Sequence, residues 1–291
     1  MHVKVLLTYS ATQPEANTVI AGGRNLSDTY YYPEKSDNSH YPELDQYGTF
    51  WYPFAYFDDL DFRIHDTEFT KTLARQMLEF MESDKKKMLF RQIFDDKSSL
   101  VPVPATAASQ VSYQISAPYL DDRTLEKNFI SLINSAKTRI RILSPYIRFT
   151  QGIFKAMMDA KARGVQVQIV TTFVIDGDLA PFLLKLSIRD SLNKIYKDFE
   201  IYRYLREPTG IMHAKALLID DQVLMLGSVN LNRRSFAHDM EISFYFRGRQ
   251  VIDDFNNLFE GRYLSVSQKM TEALPNPRLA KPLLLLLGDT M

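Results

Sequence analysis

The chain contains no cysteine, which excludes disulfide cross-links and thiolate chemistry without assigning a compartment. It carries no excess of charge. Its 35 basic residues balance 35 acidic ones, so no global field draws it to nucleic acid, although a local basic groove stays open. It also lacks any apolar run long enough to span a bilayer. Val5-Leu6-Leu7 is too short for the core of a secretory signal, and the alternation around it reads as a strand. The apolar tail from Pro282 to Gly288 is likewise too short to cross, and either docks on the core or lies in an interface. Histidines number only five, and His40, His65 and His238 have no partners at ligand spacing, which argues against a metal site. The 45% hydrophobic content and 291 residues are enough for two domains with ordinary cores.

What is present is concentrated in His213-Ala-Lys215-Ala-Leu-Leu-Ile-Asp220, followed by Gly227-Ser228-Val-Asn230. Alternation on a strand turns His213 and Lys215 to one side and Ala214 to the other. One imidazole, one ammonium and one carboxamide then share a cleft that suits a tetrahedral phosphate. The imidazole attacks phosphorus or protonates a leaving oxygen. Lys215 and Asn230 neutralise the oxygens that gather charge in the transition state. A weaker copy opens the chain: His2-Val-Lys4, then Gly22-Gly23-Arg24-Asn25. Tyr9 stands where the second copy has Asp220, and twelve residues rather than six precede the glycine. Glycine pairs also mark ordinary tight turns, and an isolated His or Lys on a strand is most often solvated.

The order HxK, four residues, Asp, six residues, GSxN resembles the phospholipase D superfamily, whose members place two such motifs across a pseudo-dyad. Gly22-Gly-Arg-Asn-Leu-Ser-Asp28-Thr-Tyr30 and Phe57-Asp-Asp59-Leu-Asp61-Phe resemble the first half of bacterial cardiolipin synthases and related phosphatidyltransferases. The resemblance implies a phosphohistidine route with no cofactor and no metal. His2 matches the nucleophile and His213 the acid/base; Lys4, Lys215, Asn25 and Asn230 hold phosphate oxygens, with Gly23 and Ser228 beside the substrate. Each histidine is oriented by a carboxylate of the opposite lobe, so Glu241 serves His2 and Asp59 serves His213. Plain surface charge at a strand end is the alternative for these two. Asp220 is structural by the same comparison. The implied substrate is an anionic glycerophospholipid at a membrane surface, and the implied location is the bacterial cytoplasm or the inner-membrane periphery. Nucleic acid is the disfavoured partner; oligomeric state is open. Transferase and hydrolase share this chemistry. A nuclease of the same superfamily and a non-catalytic phosphate- or membrane-binding relative stand as alternatives.

The expected fold is α/β, with two pseudo-repeated lobes, each a mixed sheet flanked by helices. The boundaries are a partial first lobe at 1–100, a linker at 101–120, a second lobe at 121–270 and an apolar tail at 271–291. In the second lobe, Leu125, Phe129, Leu132, Ile133 and Ala136 recur at helical spacing, predicting a helix over 121–137. Strands are expected at 138–144, 165–169, 201–205, 216–219, 223–226 and 241–246, with helices at 154–163 and 251–263. The first lobe is expected to show an aromatic insertion from Tyr30 to Phe54, a strand at 60–64 and a helix at 67–83. Together with Tyr56 and Phe57, that insertion rims a lipid-binding mouth or simply packs a long loop. Asp84-Lys85-Lys86-Lys87 reads as a solvated helix end, and only secondarily as a phosphate or anionic-lipid contact. Nothing before His2 supplies the helix and paired strands that precede His213, so the sequence suggests a fragment of a longer protein or a trimmed variant. Unpaired sheet edges favour the fragment.

Overall fold

The computed structural model describes residues 2–25, 56–84, 110–118, 123–172, 179–205 and 210–275. In the first half these form β1 (Val5–Thr8), a 3-10 turn (Pro14–Ala16), β2 (Thr18–Gly22), β3 (Tyr56–Asp58), β4 (Asp61–Ile64) and α1 (Thr67–Asp84). The second half runs β5 (Gln110–Ser116), α2 (Thr124–Ser135), β6 (Arg139–Leu143), α3 (Gln151–Ala162), β7 (Gln166–Thr171), α4 (Leu179–Ile195) and β8 (Glu200–Tyr204). It continues with β9 (Gly210–Met212), β10 (Ala216–Ile219), β11 (Val223–Gly227), α5 (Arg233–Ala237), β12 (Glu241–Arg247), α6 (Arg249–Leu258), a π-helical turn (Phe259–Leu264) and β13 (Ser267–Lys269). The aromatic insertion from Tyr30 to Phe54, the lysines 85–87, His40, residues 101–109 and the tail from Pro282 to Gly288 lie outside the described residues.

An eight-stranded sheet, ordered β13-β8-β7-β6-β10-β11-β12-β5, organises the second half. Its β6, β7 and β8 are parallel neighbours and its other pairs antiparallel, so the sheet is mixed. The parallel part follows from helical crossovers, which alone return the chain to the same end of a sheet. The crossover α3 has clear local causes. Thr150 caps it by accepting the Ile153 N–H at 3.2 Å, and Ile153, Ala156, Met157 and Ala160 bury one stripe. Gly164, at φ +84°, then turns the chain in the left-handed region toward β7.

Both faces of the large sheet are covered. Along β10, Leu217 and Ile219 join a core with α2 and α3, while Ala216 and Leu218 join a second core on the other face. That second core also contains Val19 and Ala21 of β2, and Phe69 and Leu73 of α1. The two halves therefore share one apolar layer, in which Phe62 meets Phe244 and Phe246 edge to face at 4.8 Å. Among the described residues no helix is long and apolar enough to cross a membrane.

Three expectations change. Residues 110–116, inside the expected linker, form β5, which pairs with β12 over seven residues from Glu241↔Ser116 to Arg247↔Gln110. Val111, Tyr113 and Ile115 alternate at strand period there, a pattern masked by the polar and small residues around it. The first-half sheet, β1-β2-β4, is antiparallel throughout rather than mixed, because no crossover helix joins these strands among the described residues. The helix expected over 251–263 is α6 continued by the π turn. The remaining expected elements agree within a few residues, whereas β2, β3, β9, β13, α4 and α5 have no counterpart among the elements expected from sequence.

Asp220 closes the β10–β11 hairpin. It and Asp221 have φ of 51° and 54°, as a turn with two left-handed central residues needs. Its carboxylate accepts the backbone N–H groups of Lys137, Thr138 and Arg139 at 2.7 to 3.0 Å, and the Thr138 hydroxyl at 2.9 Å. Burial pulls its pKa upward, but these donors together outweigh that and hold it below 3.8. Tyr9, the counterpart, is exposed beyond the end of β1, where the turn is carried instead by Ser10 N–H donating to Asn17 Oδ1 at 2.6 Å. Asp220→Ala should therefore cost about 1–3 kcal/mol of stability in urea unfolding. For the wild type, the contribution is present above pH 3.8 and is lost as pH falls through the depressed value. Equal stability of the two proteins at neutral pH would refute the clamp.

Candidate active site

Both HxK segments use strand alternation in the same way. Ala214 is buried in the second core, and His213 and Lys215 turn the other way. Lys4 Nζ donates to the His2 carbonyl at 2.8 Å, and Lys215 Nζ donates to the His213 carbonyl. His213 and Lys215 are buried, at 3% and 1% exposure, while His2 retains a quarter of its side-chain surface.

Each imidazole meets a carboxylate from the opposite half. His2 Nδ1 lies 2.9 and 3.0 Å from the Glu241 oxygens, and His213 Nδ1 lies 2.7 Å from Asp59 Oδ2. Backbone contacts set these meetings. The His2 N–H donates to the Met240 carbonyl at 3.0 Å, directly before Glu241. The His213 N–H donates to the Asp58 carbonyl at 2.7 Å, directly before Asp59, where β3 runs parallel to β9.

The surroundings of the two carboxylates repeat. Gly23 N–H donates to Leu60 O at 3.4 Å, and Ser228 N–H to Ile242 O at 3.0 Å; the acceptors follow Asp59 and Glu241. Gly22 and Gly227 are required at matching positions, since a Cβ would strike the Leu60 and Ile242 carbonyls respectively. The repeat breaks one residue later. Ser228 Oγ donates to Glu241 at 2.5 Å and accepts the Ile242 N–H at 3.0 Å. Opposite it, Gly23 leaves room for Asp59 itself, whose Oδ1 takes the Leu60 N–H at 2.9 Å and fills the space a Cβ would need.

Positive charge is crowded here. Burial, opposed by Asp59, drops Lys215 to about 7, and burial drops Lys4 to about 8. Burial, then Lys215, Lys4 and His2, holds His213 well below 6.5. Burial raises Asp59 to about 6 against the pull of Lys215. At neutral pH this describes an ionised Asp59 accepting Nδ1–H from a neutral His213. Lys215 Nζ lies 2.6 and 3.0 Å from the two ring nitrogens, and with Nδ1 committed to Asp59 its proton is assigned to Nε2.

Asn230 is buried, and its Oδ1 has no hydrogen-bond partner; turning the amide over puts an N–H donor there instead, which suits an oxygen anion. Asn25 lines a cavity of about 320 Å³ with His2, Lys4, Arg24 and Asp61. Arg24 and Asp61, which pair at its wall, lie in the two segments that carry the resemblance but were given no role from sequence. Phe57, read from sequence as part of a lipid-binding mouth or a packed loop, and Tyr146, which had no sequence signal, stand edge-on to the His213 ring at 5.3 and 6.0 Å. Asp220 stands apart as the hairpin clamp. Among the described residues, His2, Asp239 and Glu241 bring possible metal-ligand atoms within 4.8 Å of one another. Asp239 already pairs with Arg234 at 2.8 Å, and Glu241 with His2.

Residues 129–263 match the family model described as cardiolipin synthase, PLD-like domain. Over 158 residues the chain is 29% identical to cardiolipin synthase A of Buchnera aphidicola, covering 53% of this chain and 30% of that protein. It is 26% identical to a cardiolipin synthase of Staphylococcus aureus, covering 54% and 31%. These matches span under a third of the relatives' length. The solved phosphatidylserine synthase of Haemophilus influenzae shares the fold, with a TM-score of 0.72 and 15% identity over 97% of this chain and 67% of that one.

The crowded cations make anion binding pH-dependent. Charging Lys215 and Lys4 costs stability below their depressed values, and stability rises as pH climbs from about 7 toward 10.5. Sulfate, whose charge is constant over this range, should raise Tm at pH 6 and have little effect at pH 9, either side of the values near 7 and 8. An equal shift at both pH values, read by calorimetry, would contradict a site tuned by its lysines.

Proposed function

Given that the chain belongs to the phospholipase D superfamily, we propose that it transfers the phosphatidyl group of an anionic glycerophospholipid to an alcohol or to water. The observation that carries this reading is the pair of imidazoles, each held at Nδ1 by a carboxylate of the other half. Such a hold turns Nε2 of each ring away from its carboxylate, and at His213 that nitrogen exchanges its contact with Lys215 for the departing oxygen when substrate enters. The names of the matched relatives, cardiolipin synthases, support a phospholipid phosphodiester as substrate.

In the reaction we infer, His2 Nε2 attacks phosphorus and the bond to the departing alcohol breaks. The alcohol oxygen takes a proton from His213 Nε2. The phosphodiester's own negative charge, entering beside Lys4, Lys215 and His213, opposes the depression of their pKa values, so His213 takes up the proton it then gives away. The acceptor hydroxyl next returns a proton to His213 as its oxygen attacks phosphorus and releases His2. Lys4, Lys215, Asn25 and Asn230 stabilise the non-bridging oxygens in both steps. Glu241 and Asp59 fix the tautomers and balance the imidazolium charge.

The test is turnover of phosphatidylglycerol in anionic vesicles, with cardiolipin and phosphatidic acid as the products sought. Because imidazoles, lysines and amides supply both attack and charge neutralisation, chelator should leave the rate unchanged. His213→Ala should lower kcat by several orders of magnitude while keeping the wild-type melting transition. A folded His213→Ala protein with normal turnover would overturn the reading. Cleavage of DNA or RNA with a steep loss of affinity in salt, and none of phosphatidylglycerol, would replace the lipid substrate by nucleic acid.

A further inference from the structure

The delivery of Asp59 to His213 depends on a very small element. β3 and β9 pair over three residues, Tyr56↔Gly210 to Asp58↔Met212, as an isolated two-stranded parallel sheet. A sheet of that size is marginal on its own, and parallel pairing adds less per residue than antiparallel. A side-chain anchor lies one residue before Asp59. The Asp58 carboxylate is 7% exposed and is gripped by the Arg262 guanidinium, with Nη2 2.8 Å from Oδ1 and Nε 3.2 and 3.3 Å from the two oxygens. The Tyr204 hydroxyl donates to the same carboxylate.

Arg262 comes from the π-helical turn Phe259–Leu264, which continues α6. The wider turn keeps Phe259 and Tyr263 fully buried while Arg262 reaches toward β3. Consecutive strand residues point to opposite sides, so Asp58 and Asp59 divide the work. One ties the strand to β8 and the π turn, and the other meets the imidazole.

We propose that Arg262 is a positioning residue for the transfer site: its grip on Asp58 fixes the β3–β9 register and so keeps Asp59 within hydrogen-bond reach of His213. The consequence for rate rests on the proposed phosphatidyl transfer, but the positioning itself is open to measurement without turnover. In the full chain labelled with 15N-histidine, the His213 Nδ1 proton bonded to Asp59 should give a protected low-field resonance that Asp59→Asn removes. Arg262→Met should remove it too, or speed its exchange with solvent by about tenfold or more, while the backbone amide spectrum stays that of the wild type. Arg262→Lys, which keeps the charge but not the two-nitrogen grip, should restore it in part.

Where turnover is measured, Arg262→Met should lower kcat with KM within about twofold, and the double variant with Asp59→Asn should be no slower than Asp59→Asn alone. A protected His213 resonance in folded Arg262→Met, or losses that multiply in the double variant, would overturn the proposal. Should Arg262→Met unfold, Arg262→Lys and Tyr204→Phe decide it: an unchanged resonance in both counts against the anchor, and a weakened one supports it. If the wild type turns over no phospholipid yet Arg262→Met still loses the resonance, the functional reading fails and the positioning role stands.

Discussion

Two hydrogen bonds between an imidazole and a carboxylate tie the halves of this molecule together, and the site exists only because both cross over. His2 is 239 residues from Glu241 along the chain, and His213 is 154 from Asp59. Among the described residues, the acid that each of these two histidines meets comes from the other half. The shared apolar layer, in which Val19, Ala21, Phe69 and Leu73 meet Leu218, Leu226 and Phe244, supplies the association that brings the polar partners into register. Directional bonds then select one arrangement from those that hydrophobic burial alone would allow.

That arrangement is costly to the fold. Lys215 is almost completely buried beside His213, and the lowered pKa values of both groups record the work of charging them there. Asp59 offsets part of this while itself being desolvated. In the proposed transfer, an anionic phosphodiester would relieve this repulsion and meet Lys4, Lys215 and Asn230 as donors. The different support for the two acids fits the same economy of space. Ser228 braces the longer Glu241, whereas Gly23 makes room for the shorter Asp59, so exchanging only one member of either couple would misplace a carboxylate.

Much of this was legible from residue order because the chemistry depends on strand alternation, which has an unambiguous period. His213 and Lys215 on one side and Ala214 on the other follow from that period alone, as does the strand–helix–strand unit built by β6, α3 and β7. The meeting of His2 with Glu241 and of His213 with Asp59 came from the resemblance between the motifs and a two-lobed family, not from local pattern. Other features carried no readable signal. Tyr113 and its neighbours in β5 were hidden in a stretch whose composition suggests a linker, and β9 is three residues recognisable only beside β3. Arg262 looks in sequence like any basic residue on a surface helix; its importance depends on a π turn and on a partner 204 residues away. At Asp220 the resemblance implied a structural role, and the four hydrogen bonds of its carboxylate all go to residues 137–139.

The central claim is that two imidazoles act in turn on one phosphate, and the most direct measurement is capture of the covalent intermediate. Phosphatidylglycerol turnover stopped rapidly in alkali, which preserves phosphohistidine, followed by peptide mass spectrometry, should place the adduct on the peptide that carries His2. It should accumulate in His213→Ala, where formation from an activated donor proceeds but transfer to the acceptor is slow. Sustained wild-type turnover with no adduct on either His2 or His213 would contradict the account.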